Sequence, residues 1–209
     1  MMFLSLLEID SRAQIARTWL SNPYRVHQRL ALAFPGAPSG RVLFRIEDEW
    51  SPPRIIVQSG AEADWEAAFG QFAVLASHPQ QKSLDIGVSA GEVLRFRLLA
   101  NPTKRLSAGC PGAKVDGRRV GLLKEDEQRG WLERKAAGAG FAPLAVEVRP
   151  RSTIVSHKNP AKDRCRQSHL AVQFDGRLRV TDPDRLSEAL QSGIGTAKGY
   201  GFGLLSLAR

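Results

Sequence analysis

Strand-like and helix-like segments follow one another in an order that leaves few folds open to this chain. Short apolar or alternating segments predict strands, and stretches with helical spacing separate them. Residues 1–90 give strand, helix, strand, strand, helix, strand, the order of a ferredoxin-like domain. The predicted strands are 2–9, 41–47, 54–59 and 84–88, and the predicted helices are 11–20, 24–34 and 61–69, with Ser11 as the first N-cap and Asn22-Pro23 as an interruption.

The second half of the chain follows a distorted version of the same order. Asp175-Gly176 is a two-residue hairpin signal, and Asp182-Pro183 is a helix start. The predicted strands are 92–99, 119–123, 144–148, 154–156, 170–174, 178–180 and 203–207, and the predicted helices are 125–137 and 182–191. We therefore predict an α+β protein of two tandem ferredoxin-like (RNA-recognition-motif-like) domains, 1–90 and 91–209, packed together. Many unrelated proteins share this fold, so it does not fix the function.

Charge is distributed unevenly along the chain. The net charge is +9, and the sequence pI is near 10.1. Residues 1–90 contribute −1 and residues 91–209 contribute +10. A basic chain favours a polyanionic partner, nucleic acid first and an anionic membrane second. The alternative is a solvated face, which explains scattered charge better than a split of this kind.

Several function classes have no support in the sequence. Two cysteines, Cys110 and Cys165, make neither a disulfide framework nor a zinc site, and the four histidines are far apart in sequence. No apolar segment reaches the ~20 residues of a membrane helix, and the N-terminus does not resemble a signal peptide. We expect a cytoplasmic protein with no membrane association, no cofactor and no metal.

A glycine-rich run closes the sequence, from Gly193 to Leu207. Glycine-rich turns expose backbone N–H groups, and beside a lysine they commonly hold phosphate. The order matches neither a Walker P-loop nor a dinucleotide fingerprint. The predicted phosphate-holding residues are Gly193, Gly195, Lys198, Gly199 and Gly201. The alternative is a flexible turn before a last strand.

The best candidate for acid–base chemistry is His27. Histidine exchanges protons near neutral pH, and Tyr24, one turn earlier, shares its helix face. Metal-free RNA cleavage needs a base for a ribose 2′-hydroxyl, an acid for the leaving 5′ oxygen and donors for the phosphate. Arg25 and Arg29 flank His27 and are candidate RNA contacts. The alternative is an ordinary helix histidine.

Basic side chains in the second half are candidate contacts to an RNA backbone. A short stem with a nearby loop or single strand would suit them, because duplex RNA is read mainly by shape and phosphate. These residues are Lys104, Arg105, Lys114, Arg118, Arg119, Lys158, Lys162, Arg164 and Arg166. The alternative is that each of them simply faces water.

Four motifs give the chain a resemblance to a known family over nearly its whole length. They are N-P-Y-R-V-H-Q-R-L (22–30), R-F-R-L-L-A-N-P-T-K-R (95–105), G-R-R-V…W-L-E-R-K (117–135) and G-I-G-T-A-K-G-Y-G-F-G-L-L-S-L (193–207). In this order they resemble the CasE family of CRISPR RNA-processing endoribonucleases, the hairpin-cutting subunit of the Cascade surveillance complex.

The resemblance implies a fold, an activity and partners. The fold is two ferredoxin-like domains, and the substrate is the repeat hairpin of precursor CRISPR RNA. The cut falls at the 3′ base of the stem without metal and leaves a 2′,3′-cyclic phosphate and a 5′-hydroxyl. The enzyme then keeps the mature CRISPR RNA and joins the other Cascade subunits. The family's catalytic histidine and tyrosine fall on His27 and Tyr24, and its RNA-stem hairpin falls within 149–169.

Two positions depart from the family's pattern. Thr196 stands where a proline is usual, and Leu99 stands where a second arginine is frequent. The first bears on the stiffness of the glycine-rich loop, and the second removes a possible phosphate contact. A binding module that caps an RNA hairpin without cutting it would share the basic second half. A purely structural subunit would leave the charge asymmetry unexplained.

Overall fold

A computed structural model describes residues 2–36, 40–106, 119–157 and 166–209. The first sheet is antiparallel throughout, with the strand order β2–β3–β1–β4, which is the ferredoxin order. Its elements are β1 (Met2–Glu8), α1 (Gln14–Leu20), α2 (Pro23–Ala31), β2 (Leu43–Glu47), β3 (Arg54–Ser59), α3 (Trp65–Phe69) and β4 (Gln80–Leu84).

The second sheet repeats this order as β12–β5–β11–β8, again antiparallel. Two hairpins are inserted, β6–β7 after the first strand and β9–β10 before the third. The elements are β5 (Val93–Ala100), β6 (Thr103–Arg105), β7 (Arg119–Gly121), α4 (Glu125–Gly138), β8 (Phe141–Pro150), β9 (Ile154–His157), β10 (Arg166–His169), β11 (Val172–Val180), α5 (Pro183–Ser192) and β12 (Leu205–Ala208). The predicted tandem ferredoxin-like fold is confirmed.

Each sheet packs its helices on one face and buries a core there. Leu7, Val57 and Leu30 meet in the first core, and none is more than 1% exposed. Phe174 and Leu132 belong to the second core and are equally buried. The alternation along each strand produces this arrangement, because successive side chains point to opposite faces.

Several predicted boundaries in the first half are wrong. Helix α3 begins at Trp65 rather than at Ala61, because the Asp64 side chain accepts the Ala67 N–H and caps it, and α2 ends at Ala31 rather than at Phe34. Helix α1 begins at Gln14 rather than at Ser11, because the Asp10 carboxylate accepts the Arg12 N–H and guanidinium and forms a turn there. The last strand of the sheet is Gln80–Leu84, a polar edge strand paired with β1, and not the apolar segment 84–88. Ile86 and Val88 pack instead against the second core.

The predicted hairpin at Asp175-Gly176 is also wrong, since both residues lie inside the continuous central strand β11. A Cβ on Gly176 would lie 2.0 Å from the Ala145 carbonyl oxygen, and the register with β8 shifts at the next residue. Glycine marks a close backbone approach at a bulge here. Asp175 pairs with Arg97 across the sheet at 2.7 Å.

Buried polar contacts join the two sheets. Arg45 of β2 is 5% exposed; it forms an ion pair with Glu47 at 2.7 Å and donates to the Ser206 hydroxyl of β12 at 3.0 Å. Gln58 of β3 donates to the Leu190 carbonyl of α5. The two sheets are therefore in direct contact, and elements from both can contribute to one site.

Candidate active site

Helix α2 presents Tyr24 and His27 on one flank. Pro23 occupies its first position, where a missing N–H has no cost, and fixes the helix start after Asn22. Val26 and Leu30 are buried in the first core and set the rotation of the helix. The Tyr24 and His27 rings lie 6.1 Å apart, centroid to centroid, as the spacing predicts.

The glycine-rich run forms a closed loop on the second sheet. Ile194 N–H donates to the Gly203 carbonyl at 2.9 Å, and Gly203 N–H donates to the Leu99 carbonyl at 2.8 Å. A one-turn 3₁₀ helix, Lys198–Tyr200, lies inside it. Left-handed backbone recurs at Gly193, Gly195, Ala197, Gly201 and Gly203, so the loop keeps its turns with Thr196 in the proline position.

The loop and β2 both contact the half-buried His27 imidazole. The Phe44 ring of β2 is nearly parallel to it, at 9° with a centroid distance of 6.3 Å. Gly199 of the loop also lies against it, and a Cβ there would be 3.4 Å from His27 Cδ2. Gly201 in turn lies against Phe44. Burial lowers the pKa of His27 below its ordinary value, which favours the neutral imidazole, the form that can accept a proton.

Tyr200, in the loop, connects the site to the β9–β10 hairpin. Its ring stacks on Tyr24 at 5.7 Å, and its hydroxyl donates to the Gln167 side-chain oxygen on β10. His169, on the same strand, lies 4.4 Å from the Tyr200 ring and contacts the Asn101 amide. Burial also lowers the pKa of His169. The hairpin strands 154–157 and 166–169 fall within the predicted segment 149–169.

Leu99 and Thr196, which depart from the family's pattern, both lie at the glycine-rich loop. Leu99 is 8% exposed and packs with Ala171, Tyr200 and Phe202 in a small apolar cluster. The Leu99 side chain packs against the loop through this cluster, so residue 99 offers no phosphate contact. Thr196 is half-buried and directly precedes Ala197.

The structure separates the predicted RNA-binding cations into groups. Arg25 is half-buried in the first turn of α2. The Arg29 guanidinium lies over Trp19 and Phe72, at 5.0 and 4.7 Å from the ring centroids, and donates to a carbonyl of α3. Aromatic contacts hold it in place. It therefore fastens α2 to its neighbours rather than joining His27.

The remaining cations lie on or around the inserted hairpins. Lys104 forms an exposed ion pair with Glu127 at 2.8 Å, while Arg105 and Arg119 are exposed on β6 and β7. Arg166 begins β10. Lys114, Arg118, Lys158, Lys162 and Arg164 lie outside the described residues.

Sequence reasoning missed Phe44, Tyr200, Gln167 and His169. Phe44 looks like an ordinary strand residue. Tyr200 could have been found from the sequence, because a large aromatic residue inside a glycine-rich run needs a packing partner.

Within residues 2–36, 40–106, 119–157 and 166–209, no three His, Cys, Asp or Glu side chains converge as a metal site would need. None of the described helices is both long enough and apolar enough to span a membrane.

The fold and the site together define a tandem ferredoxin-like protein of the RNA-recognition type, with a histidine–tyrosine pair facing a glycine-rich loop. The chain belongs to the family described as CRISPR associated protein, whose model matches residues 2–209. The predicted relationship to CasE proteins is confirmed by the relatives it matches.

Three comparisons illustrate the relationship. The chain is 35% identical to the CRISPR-associated endoribonuclease Cse3 of Thermus thermophilus, over 99% of this chain and 100% of the relative. It is 33% identical to the CRISPR system Cascade subunit CasE of Escherichia coli, over 95% and 98%. The structure of Thermus thermophilus Cse3 bound to an RNA representing a pre-cleavage complex superimposes with a TM-score of 0.81, at 34% identity and covering 100% and 99% of the two chains.

Proposed function

We propose that this protein is an endoribonuclease that cuts precursor CRISPR RNA at the 3′ base of the repeat hairpin. After the cut it keeps the mature CRISPR RNA and joins the other subunits of Cascade in the cytoplasm. The observation that carries the proposal is the half-buried His27 imidazole, which lies against both the Phe44 ring and the backbone at Gly199. Relatives named as an endoribonuclease and as a Cascade subunit support it.

The reaction we assign to this site needs no group beyond the chain and the RNA. His27 takes the proton of the ribose 2′-hydroxyl, and that oxygen forms a bond to the adjacent phosphorus. The bond from phosphorus to the 5′ oxygen breaks, and Tyr24 donates the proton that this oxygen needs. The backbone N–H group of Gly199, in the loop, stabilises the developing charge. The products are a 2′,3′-cyclic phosphate and a 5′-hydroxyl.

We assign different tasks to the two halves of the chain. Residues 1–90 carry the helix with the general base, and residues 91–209 carry the loop, the basic hairpins and most of the charge. The cations of β6, β7 and the β9–β10 hairpin would hold the phosphates of the stem. Arg29 is left out of the RNA contacts, because Trp19 and Phe72 already hold its guanidinium.

A labelled repeat-hairpin RNA, incubated with the pure protein in excess EDTA, tests the proposal. We expect one cut that leaves a cyclic phosphate, with His27→Ala losing the cut while binding persists, since binding depends mainly on charge and shape. Tight binding without a cut would identify a capping module instead. A cut that survives in His27→Ala would remove this residue from the reaction.

A further inference from the structure

The Lys198 side chain does not extend freely from the glycine-rich loop but lies along it. Its Cγ is 3.3 Å from the position a Cβ would take on Gly203, and its Cε is 3.0 Å from the corresponding position on Gly193. Both glycines have left-handed backbone, with φ of +89° and +73°. Side chains at these two positions would block the path of the lysine, so the loop fixes the direction of the Lys198 ammonium group.

That direction leads to two other cations. A Cβ on Gly193 would also lie 2.8 Å from Leu43 Cδ2 of β2, and Arg41 precedes Leu43 by two residues, the spacing that puts side chains on one side of an extended chain. A Cβ on Gly195 would lie 3.0 Å from the Trp131 ring, and Lys135 follows Trp131 by one turn of α4. Three elements thus direct three cations to one side of the loop.

The electrostatics of Lys198 agree with this placement. Burial lowers its pKa, and the charges of Arg41 and Lys135 lower it further. Arg41 and Lys135 are exposed, so their charged ends are accessible from solvent. Within the described part of the chain, no ion pair involves any of these three residues, whereas Arg45, Arg97 and Arg149 all have carboxylate partners.

We propose that Arg41, Lys135 and Lys198 bind a backbone phosphate of the RNA other than the one that is cut. The inference rests on the proposed function, because it takes RNA as the ligand. Converging like charges repel each other, and a phosphate between them relieves that repulsion while accepting hydrogen bonds from all three. The phosphate that is cut lies by His27, which Gly199 faces, and Lys198 runs back over Gly203 and Gly193 towards α4 and β2.

A scan of single phosphates tests the site. In each member of a set of repeat hairpins, one phosphate is replaced by an uncharged methylphosphonate, and affinity is measured for the full-length wild type, Lys135→Ala and Arg134→Ala. Arg134 is the control, because it is an exposed cation next to Lys135 on the same helix. Arg41→Ala serves as a second variant with the same expectation.

The expected result is specific to one position in the RNA. Neutralising one phosphate outside the scissile position should lower the affinity of the wild type for the RNA about tenfold. In Lys135→Ala the same neutralisation should lower the affinity severalfold less, whereas in Arg134→Ala it should lower it as much as in the wild type. Removing Lys135 should also reduce the salt slope of binding by about 0.7–0.9. The single-turnover rate at saturating protein should stay within twofold of wild type.

Three results would overturn the inference in distinguishable ways. If the loss of affinity became smaller to the same extent at every phosphate, or as much in Arg134→Ala as in Lys135→Ala, the cations would act only through a general electrostatic attraction to the RNA. A fall in the single-turnover rate at unchanged affinity would place the three cations at the scissile phosphate. A wild-type protein that neither binds nor cuts the hairpin would reject the proposed function itself, whereas intact cutting without a position-specific effect would reject only this site.

Discussion

Tyr24 and Tyr200, the two tyrosines of this chain, stack on each other with their ring centroids 5.7 Å apart. One belongs to the helix of the candidate general base, and the other belongs to the glycine-rich loop. Because the Tyr200 hydroxyl donates to Gln167 on β10, the stack links the helix to the β9–β10 hairpin. A movement of the hairpin when RNA binds would therefore change the position of Tyr24.

Removing the Tyr200 hydroxyl should slow cutting more than it weakens binding. Tyr200→Phe keeps the stack and loses the hydrogen bond to Gln167. We expect a three- to tenfold lower single-turnover rate, with affinity within threefold of wild type. A double-mutant cycle with Gln167→Ala checks the link, since residues that act through one bond are not additive. Additive losses would show that the two residues act separately.

The pH dependence of cutting should identify the role of His27. Burial lowers its pKa below the ordinary value of about 6.5, so the neutral form is lost only in acid. If His27 is the base, the single-turnover rate rises with pH and then levels off, with its inflection below pH 6.5. A rate that falls through the same range would make His27 the acid. Measurements from pH 4.5 to 8 decide between them.

Two half-buried histidines, His27 and His169, should also make the fold sensitive to acid. His27 and His169 both have lowered pKa values in the folded state, so the unfolded chain binds more protons below about pH 6.5. The stability that these two histidines contribute through neutral imidazoles is therefore complete above that pH, and the free energy of unfolding should fall as the pH is lowered. Urea unfolding at pH 7.5 and 5.5 measures the difference. His169→Phe should reduce it, and an unchanged difference would contradict this account.

A methyl group at Gly199 should disturb the general base without disturbing the fold. The added Cβ would lie 3.4 Å from His27 Cδ2, at the short end of van der Waals contact, so it would restrict the positions open to the imidazole. We expect Gly199→Ala to lower the single-turnover rate about tenfold at unchanged affinity, because small misplacements of a reacting group are costly. The control is Gly138→Ala, which has open space at its Cβ. Equal losses in both variants would contradict the prediction.

The buried pair Arg45 and Glu47 should be important for stability only as a pair. Glu47→Ala leaves the 5% exposed Arg45 without its nearest counter-charge and should cost about 3–5 kcal/mol of unfolding free energy. Replacing both, Arg45→Met with Glu47→Leu, should recover much of that loss. Glu147→Ala, at an exposed ion pair, is the control and should change little. Denaturant unfolding gives all three values.

The fold was predictable because apolar and polar residues alternate along many of its strands, and because the order of strands and helices repeats in the two halves of the chain. The exceptions have physical causes. Strand β4 is polar because it is an edge strand and buries little, so hydrophobic periodicity could not find it. Asp175-Gly176 has the sequence of a turn, but its glycine serves a close approach to Ala145 and its aspartate serves an ion pair with Arg97.

The candidate site was predictable only where one segment contained the signal. Tyr24 and His27 share a helix, so their proximity follows from spacing alone. Phe44 and Gly199 reach His27 from two other segments of the chain, and a pairing of that kind leaves no local pattern. Arg29 is a different case, since a cation close to His27 in sequence packs its guanidinium on Trp19 and Phe72, and its sequence position gives no sign of that.

The contacts of His27 with β2 and the glycine-rich loop have a consequence for biosynthesis. Helix α2 is made before any strand of the second sheet, while the loop that lies against its histidine follows α5. Contacts between such distant segments form late in folding. A nascent chain that has not yet reached Gly193 would carry His27 without the loop. We therefore expect cutting activity only in chains long enough to pack the loop against α2.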